Sequence, residues 1–279
     1  QTARGTADVS KNVKGIHLLH AWSFENGLCL GQLKVDDKSN EITSMPQLMD
    51  QLDLKGAVIT ADAMNTQKAI VAKAIEKGAD YVLPVKENQP GLLQEVRLSF
   101  EGFDRECALA KAQWEHAIAK SREHRDEPRL QRLLSEGYFP CGASYWKEDV
   151  AKAHGRIEER LYTAISAKDL PSGKDWAGIS YIVRVCRFRQ KADKKSTETV
   201  FYITSLDADS QLIGNSIRKH WAVENQLHWR LDVIFRQDKS RYRNRVGAQN
   251  MAIIRKMALH ALSKETSMKR GIATKQCAA

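Results

Sequence analysis

The chain has 279 residues, 42% of them hydrophobic, and a net charge of +10 at pH 7. This length and apolar content predict a full hydrophobic core, and six prolines and sixteen glycines exclude a collagen-like or disordered class. The cysteines are scattered, odd in number and without a C-x-x-C pair, which indicates reduced thiols in a cytoplasmic setting and argues against a disulfide scaffold or a cysteine-based zinc site: Cys29, Cys107, Cys141, Cys186 and Cys277.

Two strand-like runs come first in the chain. Ile16–Phe24 and Leu28–Val35 flank an Asn-Gly pair at Asn26, and this arrangement predicts a β-hairpin. A short helix over Ser44–Leu52 follows, because its apolar residues recur on one helical face.

The next segment predicts a βαβ unit. Ala57–Asp62 reads AVITAD, a continuously apolar run that is typical of a central strand covered on both faces, and it ends on an acid. A helix beginning near Asn65 leads to a second strand, Tyr81–Val85, whose Pro84 favours a sheet edge or a strand end. Strands joined in this way are parallel, so we expect Asp62 at the carboxyl end of a parallel strand, where open α/β sheets bind ligands.

A long charged segment separates this unit from the rest of the chain. Residues 87–152 show a helical pattern, and Ser121–Arg132 is typical of a solvated helix face or connector. Three strand-like runs follow and suggest an antiparallel sheet: Arg156–Ile165, Ser180–Phe188 and Glu198–Leu206. The predicted class is α/β, with a core of mixed sheet and flanking helices (residues 1–86 and 207–279) interrupted by a largely β insertion (residues 87–206).

Leu212–Phe235 predicts one amphipathic helix. At about 100° per residue its apolar residues form a single stripe: Ile213, Ile217, Trp221, Leu227, Leu231, Ile234 and Phe235. Glu224 falls within that stripe, and a buried carboxylate is costly unless it is paired or binds a metal. Two interpretations stay open, an acid at the edge of the stripe that pairs with an arginine and an acid with a function. We assign Trp221 to the core and leave Trp229 open between core packing and base stacking.

The last quarter of the chain is strongly basic. Residues 207–279 hold fourteen Lys/Arg against six Asp/Glu, which is +8 of the total +10. Such a concentration is typical of a polyanion-binding segment, and an ordinary solvated basic surface is the alternative. The run Arg236–Arg245 places a tyrosine among five cations, a pattern suited to nucleic-acid phosphates. The last predicted helix, Ala248–Lys264, turns its apolar residues inward: Met251, Ile254, Met257, Ala258 and Leu262.

Asp62 and Glu224 are the two acids whose placement suggests chemistry. Paired carboxylates without nearby thiols suit hard cations such as Mg²⁺ or Mn²⁺, and two such ions about 4 Å apart clamp the oxygens of a phosphoryl transfer. His220, Glu224 and His228 share a helix face and raise a zinc interpretation. The two histidines would lie about 12 Å apart along the helix, too far to close on one ion. The pattern therefore favours Mg²⁺ or Mn²⁺ over zinc.

Short motifs spaced along nearly the whole chain match a known family: KSNEIT at 38–43, ITADAM at 59–64, GADYVL at 78–83 with Lys86, Asn88 and Gln89, HGRIE at 154–158, HWAVEN at 220–225, LHWRLDV at 227–233, and Asn250-Met-Ala with Arg255. On these motifs the chain resembles the transposases of bacterial insertion sequences of the H-repeat-associated type, which are members of the DDE superfamily. The motif around Glu224 is the most specific of the set.

The resemblance implies an RNase H-like core in which three acids hold two divalent ions, Mg²⁺ or Mn²⁺. Asp62 matches the second acid and Glu224 the third, and the first Asp falls two positions before Gln1. The implied activity is metal-dependent cleavage and strand transfer of DNA at the ends of an insertion sequence. The implied partners are those ends, the target DNA and further copies of the chain, in a bacterial cytoplasm and associated with the nucleoid.

The chain departs from the family's Tyr…Arg…Glu…Lys pattern around the third acid. Aligned on Glu224, these positions hold Ile217, His220 and Leu231. Three nearby substitutes join the basic run, and the predicted DNA contacts are therefore Arg218, His228, Arg230, Arg236, Lys239, Arg241, Arg243 and Arg245. Two alternatives remain open, a catalytically dead truncated remnant that only binds DNA and an RNase H-like nuclease without strand transfer.

Overall fold

The computed structural model describes residues 2–3, 6–7, 15–35, 40–120, 143–153, 156–191, 194–208, 210–240, 242 and 244–278. The chain divides into two compact units, the terminal unit (residues 1–55, 76–78 and 217–279) and the sheet unit (residues 56–75 and 79–216). The three predicted segments, 1–86, 87–206 and 207–279, stay a prediction. No helix in the described ranges combines the length and apolar character that crossing a bilayer demands.

The elements in chain order are β1 (Thr2–Ala3), β2 (Ile16–Ser23), β3 (Leu28–Val35), α1 (Glu41–Asp50), β4 (Val58–Thr60), α2 (Lys68–Glu76), β5 (Asp80–Val85), α3 (Pro90–Lys120), β6 (Ser144–Ala153), β7 (Arg156–Ser166), β8 (Tyr181–Lys191), β9 (Lys194–Thr204), α4 (Ser210–His220), α5 (Trp229–Val233), α6 (Arg245–Lys264) and α7 (Ile272–Ala278). A single π-helical turn, Glu224–His228, lies ahead of α5 and is called the π-turn below.

The terminal unit contains the three-stranded antiparallel sheet β1-β2-β3. The predicted hairpin is confirmed, and Gly27 adopts the positive φ of 59° that its turn requires. α1 begins ahead of the predicted Ser44 because Asn40 caps it. The Asn40 side chain accepts a hydrogen bond from the backbone N–H of Thr43, and the Thr43 hydroxyl accepts one from the backbone N–H of Asn40. Together they form a capping box.

The core of the terminal unit lies between its sheet and its carboxyl-terminal helices. Ile16 and Leu18 of β2 cluster with Ala248 and Ala252 of α6. A second cluster has three fully buried leucines at its centre, with four partly buried side chains around it: Leu227, Leu231 and Leu259, then Trp22, Val223, Phe235 and Ile272. The π-turn and α5 are thereby anchored to α6.

The sheet unit is one six-stranded mixed sheet in the order β4-β5-β9-β8-β7-β6. β4 and β5 pair in parallel, from Val58↔Asp80 to Thr60↔Val82, which confirms the βαβ unit. The other pairs are antiparallel, which confirms the three predicted strands β7, β8 and β9. The predicted α/β class, a mixed sheet with flanking helices, is confirmed, and the RNase H-like core stays a prediction.

Two predictions about this part of the chain were wrong in part. β4 lies at the sheet edge in the described part of the chain, and its residues are half-buried, so it is not a central strand. β5 is interior, and Pro84 lies one residue before its end, in line with the predicted strand end and beyond the β4 ladder, which stops at Val82. The helical pattern predicted for residues 87–152 is confirmed over Pro90–Lys120, but Ser144–Ala153 is a strand. Ser121–Arg132 lies outside the described residues.

The single helix predicted over Leu212–Phe235 is three pieces, α4, the π-turn and α5. Ile213, Ile217, Leu227 and Leu231 are buried as predicted, but Trp221 is 57% exposed and was wrongly assigned to the core. Glu224 was wrongly placed on the buried face, because 64% of its side chain is exposed. The turn at Trp221 and the π-turn shift the helical phase, so positions between the two buried pairs no longer follow a period of 3.6.

The inward face of α6 was also predicted incorrectly. Ile254 and Met257 are 54% and 64% exposed, whereas Ala248, Ala252, Lys256 and Leu259 form the buried face. Ala248 and Ala252 on this face cluster with Ile16 and Leu18 of β2, whereas Ile254 and Met257 lie largely in solvent. Periodicity alone favoured the larger side chains.

Candidate functional site

Asp62 lies in the sheet unit, two residues past the end of β4, and its side chain is exposed. The backbone of Asp62 is extended, and the residue directly precedes a short 3-10 turn, Ala63–Asn65. Its side chain makes no capping hydrogen bond to that turn. The carboxyl end of a parallel strand is where the sequence predicted this acid.

The loop after Asp62 is held by side chains from a later segment. The Asn88 amide donates to the backbone carbonyl of Ala63 at 2.8 Å, and the Gln89 amide donates to that of Thr66 at 2.9 Å. The Thr66 hydroxyl in turn donates to the carbonyl of Pro84 at 2.6 Å. Sequence reasoning gave Asn88 and Gln89 no role, although their place in a family motif was a signal that would have found them.

Glu224 lies in the terminal unit at the start of the π-turn. The backbone N–H of Trp229 donates to the Glu224 carbonyl, which is the i to i+5 bond that defines a π-turn. His228 Nδ1 lies 3.0 Å from Glu224 Oε2, and the histidine side chain is only 22% exposed. The exposed carboxylate is therefore held by a more buried imidazole on the same turn.

A buried polar cluster lies behind His228. The His20 ring on β2 has its centroid 5.8 Å from that of His228. Burial, and then the nearby Lys256 charge, hold the pKa of His20 well below its usual 6.5. Burial lowers the pKa of Lys256 to about 8, and its ammonium donates to the Gln32 side-chain oxygen. Burial also raises the pKa of the Cys29 thiol, so His20 and Cys29 are biased toward their neutral forms.

The predicted DNA contacts are spread over the terminal unit. Arg218 is exposed in the last turn of α4, Arg236 and Lys239 are exposed after α5, and Arg230 and Arg245 are half-buried. Arg236 adopts a left-handed φ of 50°, which turns the chain out of the helical path. Arg241 and Arg243 lie outside the described residues.

Two of these cations line a groove of about 960 Å³ with residues from α5 and α7. Arg270 lines the same groove as Arg230 and Arg236, and Trp229 and Phe235 contribute aromatic surface. Trp229, left open by the sequence, is 55% exposed and so is not a core residue. Arg270 was missed because it lies far beyond the basic run, although the basic excess of the whole carboxyl-terminal segment was a signal.

The two acids fit a divalent cation in ligand type, since both present exposed carboxylate oxygens, the donors that Mg²⁺ and Mn²⁺ prefer. Asp62 belongs to the sheet unit and Glu224 to the terminal unit. Within the described ranges no three His, Cys, Asp or Glu side chains gather into a metal-binding group. The role of Asp62 and Glu224 as metal ligands therefore stays a prediction.

Comparison with known proteins places this chain among transposases. The family model described as "Transposase DDE domain" matches residues 1–260. "Putative transposase YncI" of Escherichia coli O157:H7 is 35% identical over 99% of the chain and 63% of its own length. "H repeat-associated putative transposase YhhI" of Escherichia coli K12 is 32% identical over 99% of the chain and 65% of its own length. The chain thus spans less than two thirds of the length of these relatives.

A solved structure of the piggyBac transposase synaptic complex with hairpin DNA is 10% identical, with a TM-score of 0.39 over 94% of this chain and 45% of that one. This likeness is too weak to support a conclusion about the fold. The match of a family model to 260 consecutive residues is sufficient by itself. The chain belongs to the transposase DDE domain family.

Proposed function

We propose that this chain is the catalytic part of a DDE transposase that cleaves the ends of an insertion sequence and joins them to target DNA. The observation that carries the proposal is the family match over residues 1–260, because that range contains both Asp62 and Glu224. The exposed carboxylates of these two acids support it in chemical type. Because the chain spans less than two thirds of the length of its curated relatives, the proposal concerns the full-length protein.

In this proposal Asp62 and Glu224 supply oxygen ligands to divalent ions, Mg²⁺ or Mn²⁺, two in number. The bound ions would stabilise charge on the attacking and leaving oxygens of the phosphodiester. Asn88 and Gln89 hold the backbone of the loop that follows Asp62. His228 contacts the Glu224 carboxylate itself. A water, and then the freed 3′-hydroxyl of the DNA, would attack in line.

The basic residues of the terminal unit would bind the DNA backbone. Arg218, Arg236 and Lys239 are exposed, as contacts to phosphate require. Arg230, Arg236 and Arg270 bring three cations to one groove. Phosphate contacts of this kind are independent of sequence and weaken as salt rises. We propose that the enzyme acts as a homo-oligomer on nucleoid DNA in the bacterial cytoplasm.

The test is strand cleavage and joining by the full-length product, with a plasmid that carries the element ends and a separate target. Asp62→Asn and Glu224→Gln should each abolish cleavage and leave the circular dichroism spectrum unchanged, because each removes a charged ligand but conserves shape. Asp238→Asn is the matched control, since Asp238 is an exposed acid that follows α5 in the terminal unit. It should cleave like the wild type.

Each other outcome contradicts the role of one acid or supports a different function for the protein. Wild-type cleavage by either acid variant contradicts the assignment of that acid. Cut ends without joined target identify a nuclease that lacks strand transfer. DNA binding without any cleavage by the wild type, in the presence of Mg²⁺ or Mn²⁺, identifies a remnant that only binds DNA.

A further inference from the structure

The π-turn carries a carboxylate and an imidazole in direct contact. Glu224 opens the turn, His228 closes it, and the Nδ1 to Oε2 distance is 3.0 Å. We propose that His228 is a positioning residue that fixes the orientation of the Glu224 carboxylate for a divalent cation. This inference rests on the proposed function of Glu224 and differs from the DNA contact that the sequence suggested for His228.

The direction of the hydrogen bond follows from the chemistry of the two groups. An ionised carboxylate has no proton and only accepts, so His228 Nδ1 carries the proton and donates to Oε2. The second oxygen, Oε1, then remains as the oxygen available to a cation. A glutamate on an exposed turn otherwise samples several rotamers, and a fixed donor selects one of them.

The surroundings of His228 hold the imidazole itself in place. The neighbouring Leu227 and Leu231 are fully buried against Leu259 of α6, which fixes the backbone on both sides of the ring. The His20 ring packs against His228 at 5.8 Å and 57°, and restricts its rotation from behind. Because burial disfavours the charged form of His20, this neighbour contributes little charge repulsion.

The pair contributes little to folding stability by comparison. An exposed i, i+4 pair changes the folding equilibrium by about twofold or less. Groups that orient a metal ligand from behind typically change metal affinity or activity by 10- to 100-fold. A role in folding and a role in positioning therefore predict different measurements.

The experiment is Mn²⁺ binding by the full-length product, followed by electron paramagnetic resonance of free Mn²⁺. His228→Ala should weaken Mn²⁺ binding by about 10- to 100-fold. His228→Asn should restore most of the affinity, because the asparagine amide can donate from the position that Nδ1 occupies. His260→Ala is the matched control, since His260 is another half-buried histidine of the terminal unit, 3.1 Å from the Gly27 carbonyl. It should bind Mn²⁺ like the wild type.

A second readout tests the contact without metal. In ¹⁵N spectra of the imidazole rings, His228 should show a protonated, hydrogen-bonded Nδ1, and Glu224→Gln should shift that signal. Thermal unfolding of all variants checks that they fold.

The results separate the two proposals. Wild-type Mn²⁺ affinity in His228→Ala, equal losses in the Ala and Asn variants, or a His228 signal that ignores Glu224→Gln overturns the positioning role. If Glu224→Gln itself binds Mn²⁺ like the wild type, the metal-ligand role of Glu224 fails, and the positioning role fails with it. Weak binding by Glu224→Gln with normal binding by His228→Ala overturns the positioning role alone.

Discussion

Lys256 offers a quantitative test of the structure through the pH dependence of stability. The residue is 6% exposed on the buried face of α6, and burial lowers its pKa from 10.5 to about 8. A lowered pKa on a base means that the unfolded chain binds a proton that the folded chain releases, between pH 8 and pH 10.5. The free energy of unfolding therefore rises with pH in that window, and below pH 8 the full cost of the buried charge, about 3 kcal/mol, is present.

Between pH 7 and pH 9 this linkage raises the free energy of unfolding by about 1.4 kcal/mol. The neutral variant Lys256→Met lacks the linkage, so the wild type should gain about 1.4 kcal/mol relative to it across the same range. Comparing slopes removes the effect of the lost hydrogen bond to Gln32 and of changed packing. Burial raises the pKa of the Cys29 thiol and the nearby Lys256 charge lowers it, so Cys29→Ser is added to both proteins to remove this coupling.

The assay is urea unfolding at pH 7, 8 and 9, followed by circular dichroism and tryptophan fluorescence. Lys264→Met is the control, because Lys264 is exposed in the last turn of the same helix. It should follow the wild type at every pH. Parallel curves for the wild type and Lys256→Met would refute the reasoning, since they would mean that the lysine keeps its proton in the folded state.

Two further substitutions test contacts in the sheet unit. Gly214→Ala on α4 places a methyl group in the space that the Trp146 ring occupies. This clash should lower the free energy of unfolding by about 1–3 kcal/mol. Gly102→Ala on α3 is the control, because open space surrounds the new methyl group, and it should be neutral or stabilising by up to about 1 kcal/mol. If both glycine variants change the free energy of unfolding equally, the packing of Gly214 against Trp146 is contradicted. Gln89→Ala removes a hydrogen bond to the loop after Asp62, so backbone amides 63–66 should exchange with deuterium about fivefold faster for a loss of about 1 kcal/mol. Gln94→Ala, at an exposed position of α3, which begins one residue after Gln89, should leave that exchange unchanged. The same exchange rate in both variants would exclude the bracing role.

The two acids differ in how far sequence could describe them. Asp62 follows a short apolar strand in a βαβ unit, and this local pattern is enough to predict the carboxyl end of a parallel strand. Glu224 was predicted on a buried face because its helix was treated as continuous. The turn at Trp221 and the π-turn place Glu224 in solvent instead, and they follow from packing on both sides rather than from periodicity.

Local sequence determined the hairpin, the βαβ unit, the antiparallel strands and the family, because turn residues, apolar periodicity and motifs all act over a few neighbouring residues. Tertiary structure alone decided which face of α6 is buried, that β5 pairs with β9, and that His228 lies against His20. The reason is that these arrangements depend on partners more than 100 positions away in the chain. A helix or strand presents several possible faces, and the element that packs against it selects one.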